Sequence, residues 1–351
     1  MAIKYFTDAN SAAGYVNLQK ENLSGIQTIY HLLGPDDLVI HQLLSALLKN
    51  SKPLKLQPEL IYSTFNHTHL SGIIFRELSM AFLSGKVVTV ASKVINVNDV
   101  FDASSLSLHA SETERLLLNM NQHYKKMYMH LNAALLIHDE WEKIYIDRMD
   151  FELADSFRQS LVATIFDTDI PAKSSDSTVV RRFFATSTPN GLKDFIPELT
   201  AGLTRYLIKG RPGSGKSTLM KEVIKKATSL RYDVDIYHCS LDPLSIDMVI
   251  ISELDFCIFD ATAPHEYDAV YKKDTIIDTY AAFIKPDTDE RCKDVVLSIE
   301  EKYKNQIKLA LAAMANGHDL RSKLQRIYSS ALNKSKFDKL VLELMSFLAI
   351  E

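Results

Sequence analysis

The chain has 351 residues, 46% of them hydrophobic and 24% charged, which at about 100–200 residues per domain suits two or three globular cores. Gly (11), Pro (10) and Cys (3) are too scarce for collagen-like, disordered or disulfide-scaffold classes. A net charge of −4, with basic residues in doublets rather than runs, implies no attraction to nucleic acid or to an anionic membrane.

Residues 1–8 lack the apolar stretch of a secretion signal, and no window approaches 18 uncharged apolar residues. Cys239, Cys257 and Cys292 form no Cys-x-x-Cys pair, which suits a reducing compartment. The expectation is a cytoplasmic protein. The first half runs Lys4-Tyr5-Phe6, Gly14 and Tyr30-His-Leu-Leu-Gly34. It ends in a helical stretch, 112–166, with apolar positions at Leu116, Met120, Leu131, Leu135 and Ile144. Residues 167–178 are polar, aperiodic and interrupted by Pro171, as a linker is.

After the linker a β-rich run, 206–209, leads through glycines into a helix at 217–230. A strand at 234–239, a short helix at 245–254 and an apolar strand at 256–259 follow. That alternation predicts a parallel α/β sheet. Ile307, Leu311, Met314, Leu320, Leu324, Ile327, Leu340, Leu344 and Leu348 then predict a second helical tail.

The halves echo each other. Tyr30, Gly34 and Leu43 stand 176 residues before Tyr206, Gly210 and Leu219, and Glu77-Leu78 stands 176 before Glu253-Leu254. Ile61-Tyr62 precedes Ile236-Tyr237 by 175, and Leu131, Ala133, His138, Asp139 and Lys143 recur 180 residues on. A nearly constant offset in one order predicts a tandem duplication: an N-terminal domain at 1–168, a linker at 169–180 and a C-terminal domain at 181–351. The two halves are expected to pair within the chain, and their helical tails to form two layers packing on the sheets or on each other.

Gly210-Arg211-Pro212-Gly213-Ser214-Gly215-Lys216-Ser217-Thr218 fits G-x-x-x-x-G-K-[ST] between a predicted strand and a predicted helix. Glycines let consecutive N–H groups curl around an anion, and the helix adds its positive end. Lys216 is expected at the β- and γ-phosphates, Ser217 on Mg²⁺ and Thr218 near the α-phosphate. Asp260, ending the strand at 256–259, is the acid expected to hold Mg²⁺ through water. A turn aspartate at a strand end is the lesser alternative.

Ala261 follows where fast ATPases often carry a water-polarising Glu. Asp242 and His265 both follow strand ends on the ligand side and are candidates to orient water or a substrate hydroxyl. Asp242 precedes Pro243, so capping a helix is an equal reading, and His265 follows Pro264 in a loop. Arg211, Arg231, Arg291 and Arg321 are candidates to neutralise charge during transfer. His238, Cys239 and His265 match no closed zinc spacing. The paired His138-Asp139 and His318-Asp319 read as helix packing.

Laid at offset 176, the first half puts Asp37 on Gly213, Val39 on Gly215, Ile40 on Lys216, His41 on Ser217 and Ser84 on Asp260. With Asp36-Asp37 in the loop, that half is expected to bind no nucleotide.

Phe183-Phe184, Lys209-Gly-Arg-Pro-Gly-Ser-Gly-Lys-Ser-Thr-Leu-Met220, His238-Cys-Ser-Leu-Asp-Pro-Leu-Ser-Ile-Asp247 and Asp260-Ala-Thr-Ala-Pro-His265 resemble a little-characterised family of bacterial tandem P-loop proteins, described as ATPases or nucleotide-kinase-like. The resemblance covers most of the chain, best after residue 182, and departs from the pattern at Ala261 and in the degraded first cradle. It implies two tandem P-loop NTPase-like α/β domains and a cytoplasmic ATP-binding protein. The combined expectation is Mg-dependent binding of ATP or another NTP with slow or partner-stimulated hydrolysis at one C-terminal site. A small-molecule or nucleotide kinase and a nucleotide-gated scaffold are the alternatives, the partner being an acceptor or another protein.

Overall fold

The computed structural model describes residues 2–85, 92–171 and 173–348. Met1, Ala172 of the expected linker and residues 349–351 of the expected C-terminal domain lie outside the described residues. The first half contains β1 (Lys4–Tyr5), β2 (Asp8–Ser11), β3 (Gly14–Asn17), β4 (Thr28–Leu33), α1 (Asp37–Ser51), β5 (Glu59–Ser63), β6 (Asn66–Phe75), β7 (Met80–Ser84), β8 (Lys93–Asn96), α2 (Ala103–Leu108), α3 (Ala110–Ile146) and α4 (Phe151–Ile165). The second contains β9 (Val179–Arg182), β10 (Ala185–Thr188), β11 (Gly191–Asp194), α5 (Ile196–Leu199), β12 (Thr204–Lys209), α6 (Lys216–Ser229), β13 (Val234–His238), β14 (Ile246–Ile251), β15 (Phe256–Asp260), β16 (Thr275–Asp278), α7 (Thr279–Phe283), α8 (Thr288–Arg291), α9 (Lys293–Ser330) and α10 (Lys334–Ser346).

Among the described residues each half builds a six-stranded sheet of the same order, β1-β5-β6-β7-β4-β8 and β9-β13-β14-β15-β12-β16. The sheets are mixed rather than parallel. β14 runs antiparallel to both β13 and β15, as β6 does to β5 and β7. The helix expected at 245–254 is therefore strand β14 followed by one 3₁₀ turn. Met248-Val249-Ile250-Ile251 is buried on both faces, and such an apolar run has no period to tell strand from helix; its three β-branched residues decide for the strand.

Structural equivalence also corrects the offsets. The strands keep 176: β4 and β12 start at Thr28 and Thr204, β7 and β15 at Met80 and Phe256. The cradle does not, because only residues 34–36 join β4 to α1 where 210–215 join β12 to α6. Burial of Val39, Ile40, Leu43 and Leu47 matches that of Leu219, Met220, Val223 and Ala227. The expected superposition of Asp37 on Gly213, Val39 on Gly215, Ile40 on Lys216 and His41 on Ser217 is therefore replaced by a shortened loop. In the tails, buried Leu116, Met127, Leu131, Ala134 and Tyr145 match Ile299, Ala310, Met314, Gly317 and Tyr328, an offset of 183. His138 thus corresponds to Arg321, and its repetition at His318 is a sequence coincidence.

The two sheets share one apolar cluster. Ile61, Ile74, Ala81 and Leu83 of the first meet Leu207, Tyr237, Met248, Cys257 and Phe259 of the second. Helices cover the outer faces, and there the tails are exchanged. Phe157, Leu161 and Ile165 of α4, from the first half, pack with Leu219, Met220 and Val223 of α6. Phe337, Leu340, Leu344 and Leu348, in and just after α10, pack with Leu43, Leu44 and Leu47 of α1. Between the exchanged ends α3 and α9 run alongside each other in opposite directions: Tyr145 bonds Asp289 just before α9, and Gly317 lies against Tyr124. No described helix is long and apolar enough to cross a membrane.

A buried polar link spans the halves. Arg182 of β9, 2% exposed, pairs with Glu59 of β5 at 3.3 Å and Asp235 at 3.2 Å, donates to Asn22 and lies over the Tyr5 ring at 4.2 Å. Burial would raise Glu59, but Arg182 and Arg76 hold it below its ordinary value. Arg182→Met leaves Asp235 without its cation and Glu59 with Arg76 alone, and is expected to cost about 3–5 kcal/mol in chemical denaturation at pH 7. Because Glu59 is depressed, its share of the wild-type stability is full above a pH of about 5 and is lost as pH falls through the depressed value.

Candidate functional site

The loop at 210–215 is positioned by three anchors. At Gly210 a Cβ would lie 2.0 Å from Thr279 Oγ1 and 2.6 Å from Ser214 Oγ, so only glycine leaves room for their 2.7 Å hydrogen bond. Gly213 has φ +74°, and a Cβ there would lie 2.4 Å from the Glu142 carbonyl oxygen. The loop apex thus rests directly on the backbone of α3, from the first half. Arg211 donates to Asp289 through Nε and Nη2, and Tyr145 of α3 donates to the same carboxylate. Pro212 completes the turn between these contacts.

Gly215, left-handed at φ +82°, opens α6, and Lys216 is its first residue. Helix geometry leaves the first-turn N–H groups of α6 without intrahelical partners, pointing the way an anion would approach. Lys216 Nζ donates to the Arg211 carbonyl at 3.0 Å and stands 3.6 Å from Asp260 Oδ2. Asp260 Oδ1 accepts from the Thr262 backbone. Ser217 Oγ accepts from Ile246 N at 3.1 Å, tying α6 to the start of β14. Thr218 is exposed on the first turn. The structure therefore brings Lys216, Ser217 and Asp260 together.

It does not bring in Asp242 and His265 as equals. Asp242 accepts from Leu244 N at 3.2 Å and Ser245 Oγ at 2.6 Å, closing a turn; with no helix following, it caps none. His265 packs edge-on to Phe184 at 4.8 Å and stands 3.7 Å from Asp194. Its link to the cradle runs through Asp247, whose carboxylate it helps to stabilise.

Asp247 escaped the sequence reading. The pairing of β13 and β14 slips at Tyr237/His238, where His238 faces Ile246 and Tyr237 faces Met248, so Asp247 is the extra, bulged residue. On its other side Met248 faces Phe259, which puts Asp247 beside Asp260. Burial first, then Asp260, push its pKa up to about 6 against the pull of His265 and Lys216, and the Cys239 thiol donates to it. The available signal was its position as the polar residue interrupting the apolar 246–251 run. The equivalent bulge in β6 carries Ser71, and Ser84 pairs with Leu32 as Asp260 pairs with Ile208. Both acids are serines in the first half.

No family model, no curated protein and no solved structure matches the chain.

The first-half cradle is closed by its own chain. Asp36 caps α1 by accepting from Leu38 N. Asp37 accepts from Gln325 Nε2 at 2.9 Å and pairs with Arg321 Nη1 at 3.3 Å, both from α9. Burial would raise Asp37, but His69, Arg321 and Gln325 hold it well below the ordinary carboxylate range. Of the arginines expected to neutralise transferred charge, Arg211 is engaged by Asp289 and Arg321 serves this other cradle. Arg231 bonds Ser174 at the far end of α6, and Arg291 is exposed in α8.

The raised Asp247 gives a pH test. Its ionised form is disfavoured in the fold, so the penalty is absent below a pH of about 4 and complete above about 6. Asp247→Asn is expected to stabilise the ligand-free protein by about 1–2 kcal/mol at pH 8 and negligibly at pH 4, read by denaturant titration at both.

Proposed function

We propose that the C-terminal cradle binds a Mg²⁺–nucleoside triphosphate, ATP being the expected one, and hydrolyses it slowly. The observation that carries the reading is Lys216: an ammonium on the first residue of α6, inside a glycine turn, facing Asp260 at 3.6 Å. The arrangement of loop, lysine and strand-end acid supports the P-loop NTPase-like reading of the second half and its resemblance to the bacterial tandem P-loop proteins.

The donor set fits a hard dication. Ser217 offers a hydroxyl and Asp260 a carboxylate, with Asp247 behind them, all oxygen ligands of the kind Mg²⁺ takes. When bound, Mg²⁺ supplies charge neutralisation of the phosphates. The chain's own part is electrostatic: Lys216 exchanges the Arg211 carbonyl for phosphate oxygens, and the first-turn amides of α6 hold the anion in place. Asp247, near neutrality in pKa, is better placed than Asp242 or His265 to hold a proton from an attacking water or hydroxyl.

A nucleotide-gated coupling between the halves is the second reading, favoured by the contact of Gly213 with Glu142 and by the Tyr145–Asp289–Arg211 chain. An anion entering the loop must disturb, or be felt by, α3.

Calorimetric titration with Mg-ATP, with phosphate release measured with and without small-molecule acceptors, tests the proposal. Binding with free phosphate is the expected result; phosphorylated acceptor would make the protein a kinase, and binding without turnover a scaffold. Lys216→Ala is expected to weaken binding by about 100-fold or more with an unchanged melting temperature. Unchanged affinity would overturn the site.

A further inference from the structure

The duplication supplies an internal control for what the first half brings to the proposed nucleotide site. α4 and α10 are equivalent helices, each exchanged onto the other half's cradle helix. Asp150 and Asn333 cap them in the same way, each accepting from the third backbone N–H of its helix. Ala154, Phe157, Leu161 and Ile165 of the one correspond to Phe337, Leu340, Leu344 and Leu348 of the other, the apolar face in each case. In that register Arg158 corresponds to Val341, which packs against the core of the first half. A cation therefore occurs on the copy that covers the glycine loop and an apolar residue on the copy that covers the closed cradle.

The geometry places that cation at the loop. The position a Cβ would take on Gly215, the residue before Lys216, lies 3.8 Å from Arg158 Nη1. The Arg158 side chain is 12% exposed, and its ion-pair partner, Asp155 one turn earlier, is 62% exposed. An i, i+3 pair whose acid is solvated in this way contributes little, so Arg158 can exchange Asp155 for a stronger anion. The first half shows that a helix of the other half can reach a cradle helix. There Arg321 and Gln325 of α9 bond the Asp37 carboxylate on the first turn of α1.

Resting on the proposed function, we infer that Arg158 contacts the phosphates of the bound triphosphate. The half that cannot bind nucleotide thus supplies an arginine in cis to the half that does. Guanidinium suits the task because it is always charged and matches phosphate oxygens in pairs. An arginine delivered to a transferring phosphoryl group stabilises the charge spread over its equatorial oxygens. Arg158 would leave Asp155 to do so, and no bond is made or broken by the protein in that step.

The test compares wild type, Arg158→Val and Arg158→Lys in the full chain. Valine is chosen because Val341 shows that it fits this helix position, and melting temperature controls for the fold. Mg-ATP affinity and the rate of phosphate release are measured on each. The expected result is a loss of about 100-fold or more in turnover in Arg158→Val, or of about tenfold in Mg-ATP affinity if turnover is absent, with partial recovery in Arg158→Lys. Rate and affinity within twofold of wild type in Arg158→Val would overturn the assignment while leaving the nucleotide site standing. Loss in both variants together with a lowered melting temperature would also overturn it, making Arg158 a support of the loop. Failure of wild type itself to bind Mg-ATP would overturn the nucleotide reading and this assignment with it.

Discussion

Each half of this chain leaves the outer face of its cradle helix to be covered by the other half's tail. α6 buries Leu219, Met220 and Val223 under α4, and α1 buries Leu43, Leu44 and Leu47 under α10. Neither sheet can complete its outer layer from its own residues, and their inner faces are joined by one apolar cluster. This mutual dependence explains why the first half keeps full length although its cradle is shortened and closed by its own chain. Its sheet is half of the central core, and its tail is the roof over the surviving loop.

The same exchange brings first-half groups to the glycine loop: the Glu142 carbonyl, the Tyr145 hydroxyl and the Arg158 guanidinium. Divergence has then worked position by position. Ser71 and Ser84 stand where β14 and β15 carry Asp247 and Asp260, three loop residues stand where the second half has six, and Val341 stands where Arg158 covers the loop. Changes that would weaken phosphate or dication binding fall on one side of the molecule, while the packing residues are kept on both. A fold can lose its chemistry and keep its core because the two are written in different residues.

Much of this was legible in the sequence. The glycine spacing of 210–218, the strand before it and the helix after it are local signals, and they agree with the observed elements at 204–209 and 216–229. The repeat was visible because β-strand residues kept their spacing. Three things were not legible. β14 read as a helix because an apolar run buried on both faces has no period. The cradle alignment failed because a contracted loop and a longer α1 region cancel by β5, so the offset is restored on both sides of the change. His138 and His318 matched by identity although burial aligns Leu116 with Ile299 and Tyr145 with Tyr328. Asp247 was hidden for a related reason: a bulge changes which face a residue serves, and only pairing reveals a bulge.

The closed cradle has a consequence for how the molecule can respond. Two live sites related by a dyad would give empty, half-filled and full states, and the scope for cooperativity that goes with them. Here Asp37, held by Arg321 and Gln325, is an anion tethered to the chain itself. One cradle is thus closed by the chain's own acid, which leaves the loop before α6 as the open one. A chain with one open cradle would titrate as a single site with a Hill coefficient of about one, and its response to an anion would be graded rather than switch-like.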